Sequence, residues 1–444
     1  MHILWLKSDL LLPLDKGGKL RTWHLMRHLA KRHDITYLAF AERDPSAADG
    51  GETARGCLDG MREVATRIDT IPRIDPPKGS LRFYAAAAMH LADPLPYAVA
   101  KYRSRAFRRR LHELLSETPF DLIVCDFLFP SVNLPRRLPC PAAIFTHNVE
   151  SEIWRRHAET KTGPLGRLLY GTQYRRMLRY EARALARFDG VLAVSSADRD
   201  TFARLYGDAV PRPVHVVPTG VDTSYFASDA SAPASRNLVF TGSMDWLPNE
   251  DAMLFFCREV LPLIRAEEPG VSLSIVGRAP TPAVEKLADG HGITVTGRVE
   301  DVRPYVRDAA VYIVPLRIGG GTRLKIFEAM AMGRAVVTTT VGAEGLPVTP
   351  GEHVLLADEP RTFARAVVRL LRDVGRRREL EAAARTLVVE RYDWSAVAGE
   401  LEDALIRVTR VRPMNAAIRG SLLNPIPGAV AAEAHVAGIG SKDR

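Results

Sequence analysis

Residues 315–330 read PLRIGGGTRLKIFEAM, and this stretch decides how the rest of the chain is interpreted. An apolar strand ending at Leu316 leads into three consecutive glycines, then Thr322 at a helix N-cap position, then a helix that ends at Gly333. Glycines let the backbone approach a ligand closely, and their amides, with the positive end of the helix dipole, attract negative charge. The order strand, glycine loop, helix therefore predicts an anion-binding loop.

Charged side chains occupy the first turns of that helix. Arg323 and Lys325 oppose the helix dipole, which is unfavourable for a bare helix but is explained if an anionic diphosphate binds there. Glu328 follows Lys325 by three residues, so the two side chains share a helix face. A carboxylate at that place can accept hydrogen bonds from both hydroxyls of a ribose. The structural alternative is a surface Lys–Glu pair beside a glycine turn.

Short apolar, β-branched segments alternate with helical patterns on both sides of this stretch. Strands are predicted in the first half at His2–Leu6, Asp34–Phe40, Val64–Ile71, Asp121–Phe127, Ala142–His147, Gly190–Ser195 and Val214–Pro218. In the second half they are predicted at Asn237–Ser243, Val271–Gly277, Ile293–Val299, Ala310–Leu316, Arg334–Val341 and His353–Ala357. This alternation predicts an α/β protein with two doubly wound, Rossmann-like units of parallel sheet, and a ligand cleft between them at the carboxyl ends of the strands.

The chain length of 444 residues agrees with two domains. We predict an N-terminal domain at 1–220 and a C-terminal domain at 237–391, separated by a linker at 221–236 where Thr, Ser, Ala, Asp and Pro dominate. A helix is predicted at 392–411. The tail at 412–444 is rich in Ala, Gly and Pro without periodicity, which predicts disorder.

The net charge of +9 comes from 61 Lys and Arg against 52 Asp and Glu, and the excess is local. Lys101–Arg110 and Arg167–Arg187 are strongly basic, so they suit an anionic lipid surface or phosphorylated substrate, or are simply arginine-rich solvated faces. No apolar segment approaches the roughly 18 residues that a spanning helix needs. Four cysteines without a C-x-x-C pair fit a reducing compartment. We expect a cytoplasmic protein, soluble or peripheral to the inner membrane face.

Two shorter motifs also follow predicted strands. Gly17-Gly18 opens the first helix, at the position of a phosphate-binding loop, but a tight turn explains a paired glycine equally well. His147, in Thr146-His147-Asn148, could bond a reacting group, although a lone histidine is more often structural. The sequence lacks the G-x-G-x-x-G, Walker A, H-E-x-x-H and G-x-S-x-G motifs. Nothing in it therefore points to a dinucleotide enzyme, a P-loop NTPase, a zinc protease or a serine hydrolase.

Taken together, these stretches resemble the retaining glycosyltransferases of the GT-B fold, in family 4, also called glycosyltransferases group 1. The resemblance spans roughly residues 1–410 and keeps the family's order of motifs. The motifs are Gly17-Gly18, Thr146-His147-Asn148, VVPTGVD at 216–222, FTGSM at 240–244, IVG at 275–277, VTGRV at 295–299 and GGGTRLKxxEAM at 319–330.

The resemblance implies transfer of a sugar from a nucleotide-diphosphate sugar to a hydroxyl acceptor with retention, without a metal ion or other cofactor. Glu328 matches the second glutamate of the family's E-x7-E signature and would hold the donor ribose. Gly320 stands where the first glutamate is expected, so loop amides would contact the sugar and phosphates instead. The donor-binding residues implied are Gly17, Gly18, Gly242, Ser243, Gly320, Gly321, Thr322 and Glu328.

One departure from the family concerns the basic residues that neutralise the diphosphate. The stretch 243–249, where the family carries an Arg and a Lys, has neither. We expect Arg323 and Lys325 to supply that charge, with Arg278 or Arg298 as a supplement. The catalytic residues implied are then His147, Arg323 and Lys325, since fixed cations stabilise charge on the leaving phosphate.

The expected partners are the nucleotide sugar and a glycan or lipid-linked acceptor, in the synthesis of a surface polysaccharide or glycolipid. An anionic membrane surface could be met through Lys101–Arg110 and Arg167–Arg187. Nucleic acid is not expected, because no recognition motif with interleaved aromatics accompanies the charge. Two alternatives remain: a non-catalytic nucleotide-sugar-binding protein, or another GT-B enzyme such as a sugar-nucleotide epimerase, against which the missing acid at Gly320 argues.

Overall fold

The computed structural model describes residues 1–14, 16–42, 52–73, 80, 93–160, 163–211, 213–228, 236–318 and 324–410. It divides into two compact units. One comprises Met1–Pro218 and the chain from Ala398 onward, and the other comprises Thr219–Val397. Both units are parallel α/β structures, so the predicted fold class is confirmed.

The first unit is built on a parallel sheet with the strand order β3-β2-β1-β4-β5-β6-β7. The strands are β1 (His2–Lys7), β2 (Asp34–Glu42), β3 (Arg67–Arg73), β4 (Leu122–Asp126), β5 (Ala142–Phe145), β6 (Gly190–Ala193) and β7 (Val214–Val216). The helices are α1 (Gly17–Leu29), α2 (Glu52–Met61), α3 (Tyr97–Ala100), α4 (Arg105–Glu117), α5 (Glu150–Thr160), α6 (Pro164–Leu185) and α7 (Ser196–Tyr206). All residues of β4, β5 and β6 are buried, as expected for apolar strands covered on both faces.

The second unit repeats this architecture with the order β10-β9-β8-β11-β12-β13. Its strands are β8 (Asn237–Thr241), β9 (Ser272–Val276), β10 (Ile293–Gly297), β11 (Ala309–Val314), β12 (Ala335–Thr338) and β13 (Leu355–Leu356). The helices are α8 (Leu247–Phe255), α9 (Leu261–Glu267), α10 (Pro282–Glu285), α11 (Arg303–Arg307), α12 (Leu324–Ala331), α13 (Pro360–Arg372) and α14 (Val374–Arg391). The last helix, α15 (Trp394–Arg410), begins in this unit and belongs to the first unit from Ala398. Every residue of β11 is buried, so the glycine loop follows a central strand.

Each predicted strand is present, with ends shifted by up to three residues. Helix α8 begins at Leu247, and a π-helical segment at Phe256–Val260 separates it from α9. The basic stretch Lys101–Arg110 is not one helix, because the Ser104 side chain accepts the backbone N–H of Phe107 at 3.2 Å and starts α4 at Arg105.

The chain segments at the two unit boundaries form hydrogen bonds within the units to which they belong. The part of the expected linker that is described, 221–228, lies in the second unit, where Val221 forms a bridge with Asp393. The last residues of α15 lie in the first unit, where Glu402 contacts His33 Nε2 at 2.8 Å. The tail predicted to be disordered, 412–444, lies outside the described residues.

Membrane-spanning helices and metal-binding clusters are both absent from the described residues. No helix among them is long and apolar enough to cross a membrane. They also hold no group of three or more His, Cys, Asp or Glu side chains placed to bind a metal ion.

Candidate functional site

In the first unit, a buried polar cluster lies where β1 and β4 end, because parallel strands bring their carboxyl ends to one edge of the sheet. Lys7 Nζ donates to Asp126 Oδ2 at 2.8 Å and to Thr22 Oγ1 at 2.9 Å. The same carboxylate oxygen accepts from Trp5 Nε1 at 3.0 Å. The side chains of Lys7 and Asp126 are fully buried, so this is an ion pair shielded from water. Burial alone would raise the pKa of Asp126, but Lys7 and His147 hold that pKa well below its usual range.

His147, predicted as a catalytic residue, belongs to this cluster. Its Nε2 lies 2.6 Å from Asp126 Oδ1, and its Nδ1 lies 3.2 Å from Arg21 Nη1. A carboxylate only accepts hydrogen bonds and a guanidinium only donates them, so the network assigns the proton to Nε2 and the lone pair to Nδ1. Burial, with the charges of Lys7 and Arg21, lowers the pKa of His147 to about 4 against the pull of Asp126. His147 is therefore a neutral imidazole at physiological pH.

One of the paired glycines, Gly18, lies beside this imidazole. The ring of Phe127 stacks on His147 with centroids 3.9 Å apart, and Phe127 has a positive φ of 75°. A Cβ atom on Gly18 would lie 2.9 Å from Phe127 Cζ and 3.8 Å from His147 Nδ1. Gly18 thus allows α1 to approach the stacked rings closely, which only glycine permits. Gly17 is the exposed first residue of α1.

The loop that carries His147 is anchored from α6. Glu181 is fully buried, and its carboxylate accepts the backbone N–H groups of Glu150 at 2.9 Å and Ser151 at 3.0 Å, at the start of α5. Tyr206 donates its hydroxyl to the same carboxylate at 2.5 Å. Burial and the nearby Glu181 raise the pKa of Glu150 to about 8. The buried carboxylate of Glu181 thus accepts two backbone N–H groups at the start of α5 that would otherwise have no hydrogen-bond partner.

Sequence reasoning missed Lys7, Arg21 and Asp126. Lys7 and Asp126 each end a strand whose preceding residues are apolar and buried, and a charge at such a place is a signal that could have been used. Arg21 carries no such signal, because its burial depends on the position of α1 above the sheet. Burial lowers the pKa of Arg21 to about 10, despite the nearby Asp126 and Asp198.

In the second unit, a second cluster lies at the end of β8, where Gly242 and Ser243 were predicted to bind the donor. Lys325, from the first turn of α12, donates from Nζ to Asn249 Oδ1 at 3.0 Å. The same ammonium lies 4.0 Å from the centroid of the Phe240 ring. A Cβ atom on Gly242 would be 2.8 Å from Lys325 Nζ, so the ammonium lies directly against the strand end.

The end of β9 completes this edge. Gly277 has a φ of 152°, and a Cβ atom there would lie 1.7 Å from the carbonyl oxygen of Gly242. Glycine is therefore required for the two strand ends to approach each other. Arg278, next in the chain, donates from Nε to Ser243 Oγ at 2.8 Å, whereas Arg298 is exposed after β10.

Glu328, predicted to hold the donor ribose, lies one helical turn beyond Lys325 and is partly buried. Burial raises the pKa of Glu328 to about 7, and the charge of Lys325 opposes that rise. Its carboxylate forms no hydrogen bond within the part of the chain that the structure describes. Gly320, Gly321, Thr322 and Arg323 lie outside that part.

The structure thus brings Gly242, Ser243, Lys325 and Glu328 together in the second unit, and Gly18 and His147 together in the first. Both basic segments contain paired arginines as well as exposed ones. In the first, Arg103 pairs with Asp93, and Arg110 with Asp69, Glu113 and Glu117. On α6, Arg175 and Arg183 are exposed and form no ion pair with any described residue.

Comparison with known proteins agrees with the two-unit fold. Residues 16–225 match the family model described as "Glycosyltransferase Family 4", and residues 235–373 match the model described as "Glycosyl transferases group 1". The two matched segments together span most of the chain, and the two-unit architecture is that of the GT-B fold.

A curated relative and two solved structures illustrate the likeness. The phosphatidyl-myo-inositol mannosyltransferase of Mycobacterium tuberculosis is 32% identical over 228 residues, which cover 48% of this chain and 58% of that protein. The chain spans about half the length of the curated relatives it matches. Sucrose-phosphate synthase from Thermosynechococcus elongatus superposes with a TM-score of 0.66 at 18% identity, covering 93% of this chain and 100% of that one. Anabaena HepE in complex with UDP-glucose has a TM-score of 0.59 at 15% identity, covering 92% and 100%. These two structures share the fold.

Proposed function

We propose that this protein transfers a sugar from a nucleotide-diphosphate sugar to a hydroxyl acceptor, with retention of configuration and without a metal ion. The observation that carries the proposal is the position of Lys325. Its ammonium lies against Gly242 at the carboxyl end of β8, where ligands of such sheets bind, and Glu328 follows one turn later. A cation beside a strand end suits a diphosphate, and a carboxylate beside it suits ribose hydroxyls.

In the proposed reaction, the bond between the anomeric carbon and the diphosphate oxygen breaks, and its electron pair stays on the diphosphate. The acceptor oxygen bonds to the same face of that carbon, and its proton passes to the leaving phosphate. Lys325, with Arg323 and the amides of Gly320, Gly321 and Thr322, would stabilise the developing charge, a contribution of several kcal/mol in typical sites. Protein cations would then do the work that a metal does in other transferases.

His147 would act in this scheme as a neutral hydrogen-bonding group. Its low pKa keeps the imidazole uncharged, and Asp126 and Arg21 fix its tautomer and orientation. Both ring nitrogens are engaged by Asp126 and Arg21, so a sugar hydroxyl would bond to Nδ1 only by displacing Arg21, and the neutral ring does not serve as a resident cation. Gly17 and Gly18 stay predicted donor-binding residues, and Gly18 lies against the imidazole.

A thermal-shift screen against UDP, GDP, ADP and their sugar conjugates tests the donor site. UDP-glucose is the first ligand to try, because HepE was solved with it. Ligand at about 100 times its dissociation constant should add roughly 2.7 kcal/mol of stability. We expect a rise with one nucleotide family that is lost in Glu328→Ala and Lys325→Ala. A chain that responds to none of these ligands would not have the proposed donor site.

The non-catalytic alternative requires a separate test of turnover. Release of the free nucleoside diphosphate from the sugar conjugate, in the presence of candidate glycan and lipid acceptors, distinguishes an enzyme from a binding protein. An enzyme should release it faster with its acceptor than without, and Lys325→Ala should abolish the difference. Tight donor binding with no release under any acceptor would favour the binding protein.

We propose that the acceptor is lipid-linked and that α6 faces an anionic membrane. The exposed face of α6 carries Leu168 and Leu169, which are 63% and 40% exposed, followed by Arg175, Arg179 and Arg183. Exposed leucines beside arginines suit the boundary between headgroups and acyl chains. The relative that acts as a phosphatidyl-inositol mannosyltransferase supports a lipid acceptor.

Vesicles of phosphatidylcholine, with and without phosphatidylglycerol, test this surface. The double variant Arg175→Glu/Arg183→Glu should lose binding to the anionic vesicles. The matched control is Arg105→Glu/Arg108→Glu on α4, which makes the same change in charge and should bind almost as the wild type does. Equal loss in both variants would mean general attraction rather than a surface on α6.

A further inference from the structure

The loop after β8 contains no basic residue, yet a cation lies beside it. From Ser243 to Asn249 the chain has neither Lys nor Arg. Lys325, 76 residues beyond Asn249 in sequence, brings its ammonium to 3.0 Å from Asn249 Oδ1. Two cations from elsewhere in the chain therefore reach this loop, Lys325 from α12 at Asn249 and Arg278 from the end of β9 at Ser243.

Asn249 is held in one orientation by two different partners. Its Nδ2 donates to the carbonyl oxygen of Ser243 at 2.8 Å, while its Oδ1 faces the ammonium of Lys325. A flipped amide would turn its N–H groups toward an ammonium and its oxygen toward a carbonyl, so the network excludes the flip. Asn249 is only 2% exposed, and its backbone N–H donates to the carbonyl oxygen of Trp246 at 2.9 Å. Its side-chain amide is therefore enclosed and carried by a hydrogen-bonded backbone.

The chemistry of this contact is specific. An amide oxygen orients the Lys325 ammonium without neutralising it, whereas a carboxylate in the same place would form an ion pair and repel a diphosphate. The Phe240 ring, 4.0 Å from Nζ, likewise holds the cation without carrying a negative charge. Two neutral groups thus help to fix the ammonium at Gly242.

We propose that Asn249 is the positioning residue for Lys325, and that the two form an exchangeable cation–amide pair for the phosphate groups of the ligand. The inference rests on the proposed function, because it takes the ligand to be a nucleoside diphosphate. The proposal predicts that the cation for the phosphate groups can stand at position 325 on α12 or at position 249 on α8, provided that an amide stands at the other position.

The experiment measures, by titration calorimetry, the affinity for whichever of UDP, GDP and ADP the wild type binds most tightly, and for the matching nucleoside. Asn249→Ala should weaken the diphosphate about 10-fold, as expected for a lost bond to a charged group. Asn249→Asp should weaken it by about a further 10-fold because it neutralises the cation. Nucleoside affinity should not change in either variant, since a nucleoside has no phosphate.

The exchange variant gives the sharper test. Lys325→Gln should lose most of the diphosphate affinity, and Asn249→Lys added to it should restore binding to within about tenfold of the wild type, because one cation and one amide are again present. A structural role for Asn249 would lower nucleoside and diphosphate affinity together and show no rescue. The Tm of each variant without ligand identifies any variant that folds poorly. If Asn249→Asp folds poorly, Asn249→Ala and the exchange pair still test the positioning role of Asn249.

The possible failures are distinct. If the wild type binds none of the three diphosphates, the proposed function is overturned and this inference falls with it. If the wild type binds one of them, but Asn249→Ala binds it equally well and the exchange pair does not recover, the proposed function stands. The positioning role of Asn249 is then overturned.

Discussion

The clusters at the strand ends of the two units use similar side chains but differ in how their charges are paired. In the first unit, Lys7 faces the carboxylate of Asp126, which also accepts from Trp5 and contacts His147. In the second unit, Lys325 faces a neutral amide and an aromatic ring, and Glu328 accepts no hydrogen bond from any described residue.

This difference separates charges that maintain the fold from charges that can serve a ligand. A buried carboxylate with several donors has its charge compensated within the protein, and it fixes the neighbouring imidazole. The carboxyl group of Glu328, which has a raised pKa and accepts no hydrogen bond from any described residue, retains capacity for an incoming group. The Lys7–Asp126 ion pair of the first cluster should therefore respond to mutation chiefly through stability, and the second cluster through ligand binding.

The largest effect is expected from the buried ion pair. Asp126→Ala leaves the Lys7 ammonium buried without its counter-charge, and should lower the free energy of unfolding by about 3–5 kcal/mol. Denaturant unfolding followed by circular dichroism measures it. Asp59→Asn, at an exposed pair with Arg62, serves as the control and should change nothing measurable. A small loss for Asp126→Ala would contradict the structural role of the first cluster.

The next effect should appear in activity rather than stability. Lys325→Met keeps the length and apolar stem of the side chain but removes the charge that we assign to the leaving phosphate. We expect kcat/KM to fall about 100- to 1,000-fold, with the Tm within a few degrees of the wild type. Steady-state kinetics and a thermal melt measure the two quantities. A Tm loss as large as that of Asp126→Ala would remove the distinction between the clusters.

A smaller effect concerns the close packing of α1 on the stacked rings. Gly18→Ala introduces a methyl group 2.9 Å from Phe127, and should cost about 1–3 kcal/mol through overpacking. Gly399→Ala is the matched control, because that glycine lies within α15 with open space around its Cβ position. There alanine should stabilise by up to about 1 kcal/mol through helix propensity. Chemical denaturation of both variants checks the pair, and equal effects would contradict the packing.

The smallest effect is a pH dependence of donor binding. The pKa of Glu328 is about 7 in the absence of ligand, and ribose hydroxyls are bound by the ionised form, so donor affinity should rise with pH and level off above 7. Below 7 it should fall by up to about tenfold per pH unit. Calorimetric titrations from about pH 5.5 to about pH 8.5, run beside Glu328→Gln as the variant without this ionisation, measure the slope. Parallel slopes in both proteins would exclude Glu328 as the source.

The raised pKa of Glu328 makes the stability of the fold change with pH in the opposite direction to donor affinity. The pKa of Glu328 in the folded state lies above that of the unfolded chain, so the unfolded state releases its proton first as pH rises. The group's contribution to stability is therefore fully present at acidic pH and lost by about pH 7. Relative to the wild type, Glu328→Gln should gain stability between about pH 5 and about pH 8, which thermal melts at the two pH values can measure.

His147 provides the contrast within this comparison. Its pKa of about 4 places its titration below the working range, so replacing it should leave the pH profile between about 6 and 8 unchanged. If the pH dependence of donor binding disappears in His147→Asn but persists in Glu328→Gln, the group that titrates on donor binding belongs to the first cluster and not to the second.

The sequence alone determined the architecture. The alternation of apolar β-branched segments with helical patterns reports local burial, and burial of a strand on both faces requires helices on both sides of the sheet. The place of Lys325 and Glu328 on one helix face also followed from helical spacing. Such features depend on neighbours a few residues away, so they can be deduced from the chain itself.

Only the tertiary structure decided which distant groups meet. Asp126 and His147 follow different strands, Lys7 and Arg21 flank the first loop, and nothing in their local sequence states that they form one network. Asn249 gave no sequence signal at all, since its importance comes from contact with a lysine 76 residues later. Pairings of this kind depend on strand order and helix placement, which bring remote residues to a common edge, and only the folded arrangement fixes them.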